Sequence, residues 1–176
     1  MRTRYNAKAI DELIRFEKYI KTKEDIQEII SKKNNMKIYL EIGMGKGDFI
    51  TKLSQLDKDN IYIGVEVSPP VLALAVKKLK RYKKENNVIL DNLYFMSFDA
   101  IDIASFFQEH QIEKIYLNFS DPWPKKKHAK RRLTNERFLE EYKKVLKKNG
   151  RIEFKTDNRG LFEYSLVSMQ NFGLKF

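Results

Sequence analysis

The chain has 176 residues, enough for one domain with a sizeable core and too few for two independent ones. Its 35 lysines and arginines against 24 aspartates and glutamates leave a net charge of +11, which favours a polyanionic partner, either nucleic acid or an anionic membrane surface. With no cysteine and only His110 and His128 as histidines, disulfides, thiolate zinc sites and cysteine nucleophiles are excluded, and no metal is expected.

In chain order, residues 1–36 read as an N-terminal helical extension. Met1-Arg2-Thr3-Arg4 leads into charged sequence rather than the apolar centre of a secretory leader. Residues 8–33 follow helical spacing through Ile10, Leu13 and Ile14, then through Ile26, Ile29 and Ile30 after a cap at Thr22. From Lys37 the pattern changes, and residues 37–176 read as one α/β domain. Strands are predicted over 38–42, 61–66, 93–97, 115–119 and 151–155. Helices are predicted over 48–56, 71–84, 101–110, 135–147 and 159–171. Gly150, after Lys147 and Lys148, reads as a helix stop. Strands alternating with helices predict a mostly parallel, doubly wound sheet covered on both faces. The longest apolar run, 71–76, is too short to span a bilayer, and the basic run described below lacks an apolar face. A soluble cytoplasmic protein is expected, with no membrane association and no obligate protein partner evident.

The first strand runs into Leu40-Glu41-Ile42-Gly43-Met44-Gly45-Lys46-Gly47-Asp48. Glycines there permit a sharp turn and a close approach of backbone to ligand. Gly43, Gly45 and Gly47 are spaced by two, unlike the dinucleotide fingerprint. Glu41, two residues before the first glycine, suits a cationic cofactor and would repel a pyrophosphate. Glu66, about twenty residues beyond the loop, ends the second strand where a carboxylate can accept both hydroxyls of a ribose. Asp99 follows the third strand. The bland alternatives are a solvated strand end for Glu41 and a helix cap for Asp99. The ordered set, strand, Glu-x-Gly-x-Gly-x-Gly, strand, Glu, strand, Asp, resembles the class I methyltransferases. That resemblance implies a Rossmann-like fold with Glu41, Gly43, Glu66 and Asp99 lining an S-adenosylmethionine site.

After the fourth strand comes Asn118-Phe119-Ser120-Asp121-Pro122-Trp123-Pro124-Lys125-Lys126-Lys127-His128. Two prolines around a tryptophan fix a rigid turn that presents one carboxylate, Asp121, and one aromatic face, Trp123. An extruded purine can lie against such a ring. Lys125, Lys126, Lys127, Lys130, Arg131 and Arg132 then form a phosphate-binding run by composition. The bland alternatives are a structural turn and a solvated loop. LNFSDPWPKKKHAKRR, continued by Leu133-Thr134, resembles the signature of the bacterial tRNA (guanine-N7)-methyltransferases, as do FKTDNRGLFEYSL from Phe154 and the opening Met-Arg-x-Arg.

The resemblance implies methyl transfer from S-adenosylmethionine to N7 of a guanine in the variable loop of tRNA. It places the catalytic aspartate at Asp121, also beside the cofactor, and substrate contacts at Lys125 and Asp157. A cap on the helix beginning near Arg159 is the alternative role for Asp157. The family continues through a β-hairpin and a Thr-x-Tyr-Glu-like segment that this chain, ending at Phe176, does not contain, so an unpaired sheet edge is expected at the fifth strand. Two other readings are a non-catalytic RNA-binding protein on a methyltransferase fold and an amino-methyltransferase of a nucleobase. The second also uses an Asp/Asn-Pro-Pro-aromatic loop.

Overall fold

Residues 19–176 are described by the computed structural model. They belong to two compact units, Met1–Phe98 and Asp99–Phe176. The first half of the helix expected over 8–33, and the opening Met-Arg-x-Arg, lie outside the described residues.

In the first unit, Thr22 caps α1 (Lys23–Lys32) through a reciprocal pair of bonds. The Thr22 hydroxyl accepts from the Asp25 amide at 3.1 Å, and the Asp25 carboxylate accepts from the Thr22 amide at 2.9 Å. These bonds hold the Asp25 carboxyl below the usual carboxylate range. Strands β1 (Ile38–Ile42) and β2 (Ile61–Val65) are β-branched and almost continuously apolar. Every β2 residue is buried, as expected of a parallel strand covered on both faces. With β3 (Leu93–Met96) they pair in parallel, Ile42 opposite Val65 and Val65 opposite Met96. That register carries Gly43 and Glu66 to one edge.

Helices α2 (Asp48–Leu56) and α3 (Pro69–Asn86) supply Ile50, Leu72, Ala75 and Val76 to a core that also holds Met44 and Phe95. Gly64 in mid-strand makes this possible: a methyl group there would overlap Met44 Sδ and press on Phe95. The loop after α2 is tied by Asn92, whose buried amide donates to the carbonyls of Ser54, Asp57 and Asn60.

The second unit begins with a 3-10 turn, Ala100–Asp102, and a short α4 (Ile103–Phe106). Strand β4 (Ile112–Asn118) follows, then a 3-10 turn at Lys126–Arg131, α5 (Glu136–Val145), β5 (Leu146–Lys155) and α6 (Arg159–Asn171). β4 and β5 pair in parallel, Asn118 opposite Lys155. In the first unit the strands lie in the order β3-β2-β1, and in the second β4 lies beside β5. No position of β5 is buried, in contrast to β2.

The expected helix end at Lys147–Gly150 is corrected. Helix α5 stops at Val145 because Leu146 turns extended (φ −70°, ψ 138°), and the next residues enter β5. The ladder is irregular between Ile112 and Lys114, where Leu146 and Arg151 are their successive partners. Gly150 is therefore no helix stop. Any side chain there would meet the Lys147 carbonyl at 2.9 Å, so the glycine serves the bulged strand. His110 pins this junction, its amide donating to Lys144 O at 3.1 Å and its Nδ1 lying 2.8 Å from Leu146 O. The helix expected over 101–110 is shorter than its pattern suggests, ending at Phe106.

Candidate active site

The glycine turn of the first unit is built on left-handed backbone, with φ of +70° at Gly43, +58° at Gly45 and +76° at Gly47. The amides of Gly43 and Met44 both donate to Val65 O, at 2.9 and 3.0 Å, which folds the turn over the end of β2. Glu66 closes it. This carboxylate, 9% exposed, accepts from the Gly45 amide at 3.1 Å and from the Ser68 amide at 2.9 Å. Beside Gly45 a side chain would meet no atom within 4 Å, so the turn opens onto free space. Glu41 lies within β1, opposite Gly64, and is 3% exposed. Burial overturns the solvated-strand-end alternative for Glu41.

In the second unit Asp99 is exposed, and its Oδ1 accepts from the Ile101 amide at 3.1 Å. The capping role is thus real and occupies one of its two oxygens. Next to it, Tyr142 of α5 is fully buried, and its hydroxyl has no hydrogen-bond partner among the described residues. Burial, and then the charge of Asp99, push that phenol above its usual range.

Asp121 and Asp157 follow the paired ends of β4 and β5 by three and two residues, so adjacent strands deliver both to one edge. Both are exposed. The cap of α6 is Asn158, not Asp157: its side chain accepts from the Leu161 amide at 2.8 Å. That leaves the Asp157 carboxylate outside the helix cap. The turn bearing Asp121 has left-handed residues on both sides, Phe119 at φ +51° and Trp123 at φ +43°. The Phe119 amide donates to Lys155 O at 2.8 Å and continues the ladder.

The aromatic and basic residues of this loop are distinguished by their local contacts. One face of Trp123 carries the Arg131 guanidinium, 4.8 Å from the ring centroid, and His128 meets the ring edge-on. A second aromatic near Asp121, Phe119, is 57% accessible. Phe119 ends the strand predicted over 115–119, and its only signal in the sequence is an aromatic directly before Ser-Asp-Pro. Arg132 differs in its surroundings from the rest of the basic run. It is half-buried and donates to the carbonyls of Pro122 and Trp123. The remaining five cations, Lys125, Lys126, Lys127, Lys130 and Arg131, are exposed. Among the described residues no cluster of acidic or histidine side chains is placed to hold a metal, and no helix is long and apolar enough to cross a membrane.

The family described as "Putative methyltransferase" matches residues 35–175 of this chain, from before β1 to the end. The chain belongs to this methyltransferase family. Among similar proteins, a tRNA (guanine-N(7)-)-methyltransferase of Lactiplantibacillus plantarum is 47% identical over 139 residues, which cover 79% of this chain and 62% of that protein. One from Geobacillus sp. is 52% identical over 141 residues, covering 80% and 61%. The chain thus spans about three-fifths of the length of the curated relatives it matches. Among solved structures, the aminoglycoside resistance methyltransferase NpmB1 superposes with a TM-score of 0.61 at 20% identity, covering 88% of this chain and 71% of that one. An antibiotic-related methyltransferase gives 0.63 at 20% identity, covering 88% and 76%. These likenesses show the Rossmann-like α/β fold of this methyltransferase domain.

Proposed function

We propose that the chain is the methyltransferase portion of a cytoplasmic enzyme that transfers a methyl group from S-adenosylmethionine to N7 of a guanine in tRNA. The observation that carries this reading is the loop after β4: an exposed carboxylate in a doubly left-handed turn, followed at once by five exposed cations. The names of relatives about half identical to this chain point to the same reaction.

The residues fit the cosubstrate. Glu66 is held by backbone amides with its remaining lone pairs free to accept ribose hydroxyls, and the open space beside Gly45 lets a ligand approach the turn. Glu41 supplies a second carboxylate toward a cationic ligand, Gly43 shapes the turn, and Asp99 keeps one oxygen beyond its capping bond. Bound S-adenosylmethionine supplies an electrophilic methyl group. Guanine N7 offers an in-plane lone pair and needs no deprotonation, so the protein's task is alignment and charge stabilisation. Asp121 stabilises the positive charge that develops on the purine. Lys125 and Asp157 hold the substrate, Asp157 by accepting from base or ribose donors. The exposed cations, with Lys125 first, bind phosphates.

Comparing N7-methylguanine in tRNA from cells with and without the gene tests the reaction. Loss of that modification is expected. A protein that binds tRNA but not S-adenosylmethionine would be a non-catalytic RNA binder, and methylation of an exocyclic amine would make it an amino-methyltransferase. Either result overturns the proposal.

A further inference from the structure

We infer that Arg132 is a positioning residue: it fixes the left-handed Pro122-Trp123 turn, and through it Asp121, instead of contacting RNA phosphate. The inference rests on the role given above to Asp121. By composition Arg132 is the last cation of a six-residue basic set, yet its surroundings differ from those of the others. Its Nε donates to Pro122 O at 3.1 Å and to Trp123 O at 3.3 Å, and its Nη2 donates to Trp123 O at 3.0 Å. Its guanidinium lies 4.2 Å from the centroid of the Tyr164 ring on α6. That ring is fixed in turn, because the Asn135 side-chain amide donates to the Tyr164 hydroxyl at 2.8 Å.

The turn needs such a clamp. Trp123 holds φ at +43° and precedes Pro124, and a bulky residue before proline is driven toward extended backbone. Conformations of this kind persist only where surrounding contacts over-determine them. The carbonyls that Arg132 grips belong to the strained residue and the one before it, and Asp121 is next in the chain. A planar fork with several donors can hold two successive carbonyls while stacking on a ring, whereas a lysine ammonium cannot do both. Two segments far apart in sequence, the Asp-Pro-Trp-Pro loop and the start of α6, therefore meet through one side chain.

The test uses Arg132→Lys, which keeps the charge and loses the fork, and Tyr164→Leu, which keeps the arginine and removes its ring, both in the full chain. Trp123 is the only tryptophan, so its emission reports on this turn alone. We expect both variants to raise acrylamide quenching of Trp123. Both should also lower kcat for tRNA methylation about tenfold or more, with tRNA affinity and its salt dependence within about twofold of wild type. Tyr164→Phe, which keeps the ring, should retain most of the turnover. If Arg132→Lys does not fold, Tyr164→Leu carries the test. Wild-type quenching and kcat in the variants would overturn the inference, as would an Arg132→Met variant whose sole change is a shallower salt dependence. If wild-type protein does not methylate guanine, the reaction proposed above fails while quenching still decides whether Arg132 holds the turn.

Discussion

The Gly45 amide donates to Oε2 of Glu66 at 3.1 Å across 21 residues of chain. Oε1 of the same carboxylate accepts from the Ser68 amide, directly ahead of α3. One side chain thus ties the glycine turn to the N-terminus of the following helix, and the carboxylate proposed to receive the ribose is already oriented by backbone.

Replacing Glu66 should therefore cost twice, through a lost acceptor and a loosened turn. Glu66→Ala is expected to weaken S-adenosylmethionine binding by about 1.5–3 kcal/mol. Glu66→Gln should not rescue it, because an amide would turn an N–H toward one of two backbone donors. Calorimetric titration returning wild-type affinity for either variant would remove Glu66 from the cofactor site.

Asp121 is exposed, so Asp121→Asn should leave thermal stability and cofactor affinity close to wild type. Its effect should fall on kcat, by about a hundredfold or more, since the amide keeps the shape and loses the charge that favours a cationic purine. Single-turnover methylation of tRNA measures this, and undiminished turnover would end the role assigned to the residue.

Lys126, Lys127, Lys130 and Arg131 share the exposed 3-10 turn. Changing all four to alanine should lower tRNA affinity and reduce the logarithmic salt slope by roughly 0.7–0.9 per lost phosphate contact. An unaltered slope in filter binding at several salt concentrations would identify the turn as a solvated surface.

At Asp57, burial favours the neutral form, but bonds from the Asn60 amide, the Tyr62 hydroxyl and the Asp59 backbone outweigh it and lower the carboxyl below 3.8. Its contribution to stability is then complete above pH 3.8 and disappears as pH falls through the folded value. Urea unfolding should show wild type more stable than Asp57→Asn near neutrality, with the difference shrinking below pH 3.8. A gap that widens in acid would contradict the assignment.

Much of this fold was legible because its signals are local. Thr22 with Asp25 announces a helix start, and helices 48–56 and 159–171 have the bounds their apolar spacing predicts. The glycine turn, Glu66 and the loop carrying Asp121 sat where strand ends put them. What escaped depends on distant partners. Gly150 after two lysines looks like a helix stop, and only its β4 neighbour reveals a bulged strand. Arg132 is indistinguishable by type from Arg131, and nothing before it in the chain discloses the Tyr164 ring or the carbonyls it grips. Asp157 and Asn158 compete for one cap, and geometry alone awarded it to the asparagine.

The hydroxyls of Thr134 and Ser165 share a 2.7 Å hydrogen bond in the interior, and Ser168 donates to the Thr134 carbonyl. Losing the Thr134 hydroxyl alone leaves the buried Ser165 hydroxyl without this partner, whereas losing both leaves nothing to satisfy. The two positions are therefore expected to vary as a pair. A lineage can keep the polar couple or exchange it whole, and the intermediate with one hydroxyl is the form selection should discard.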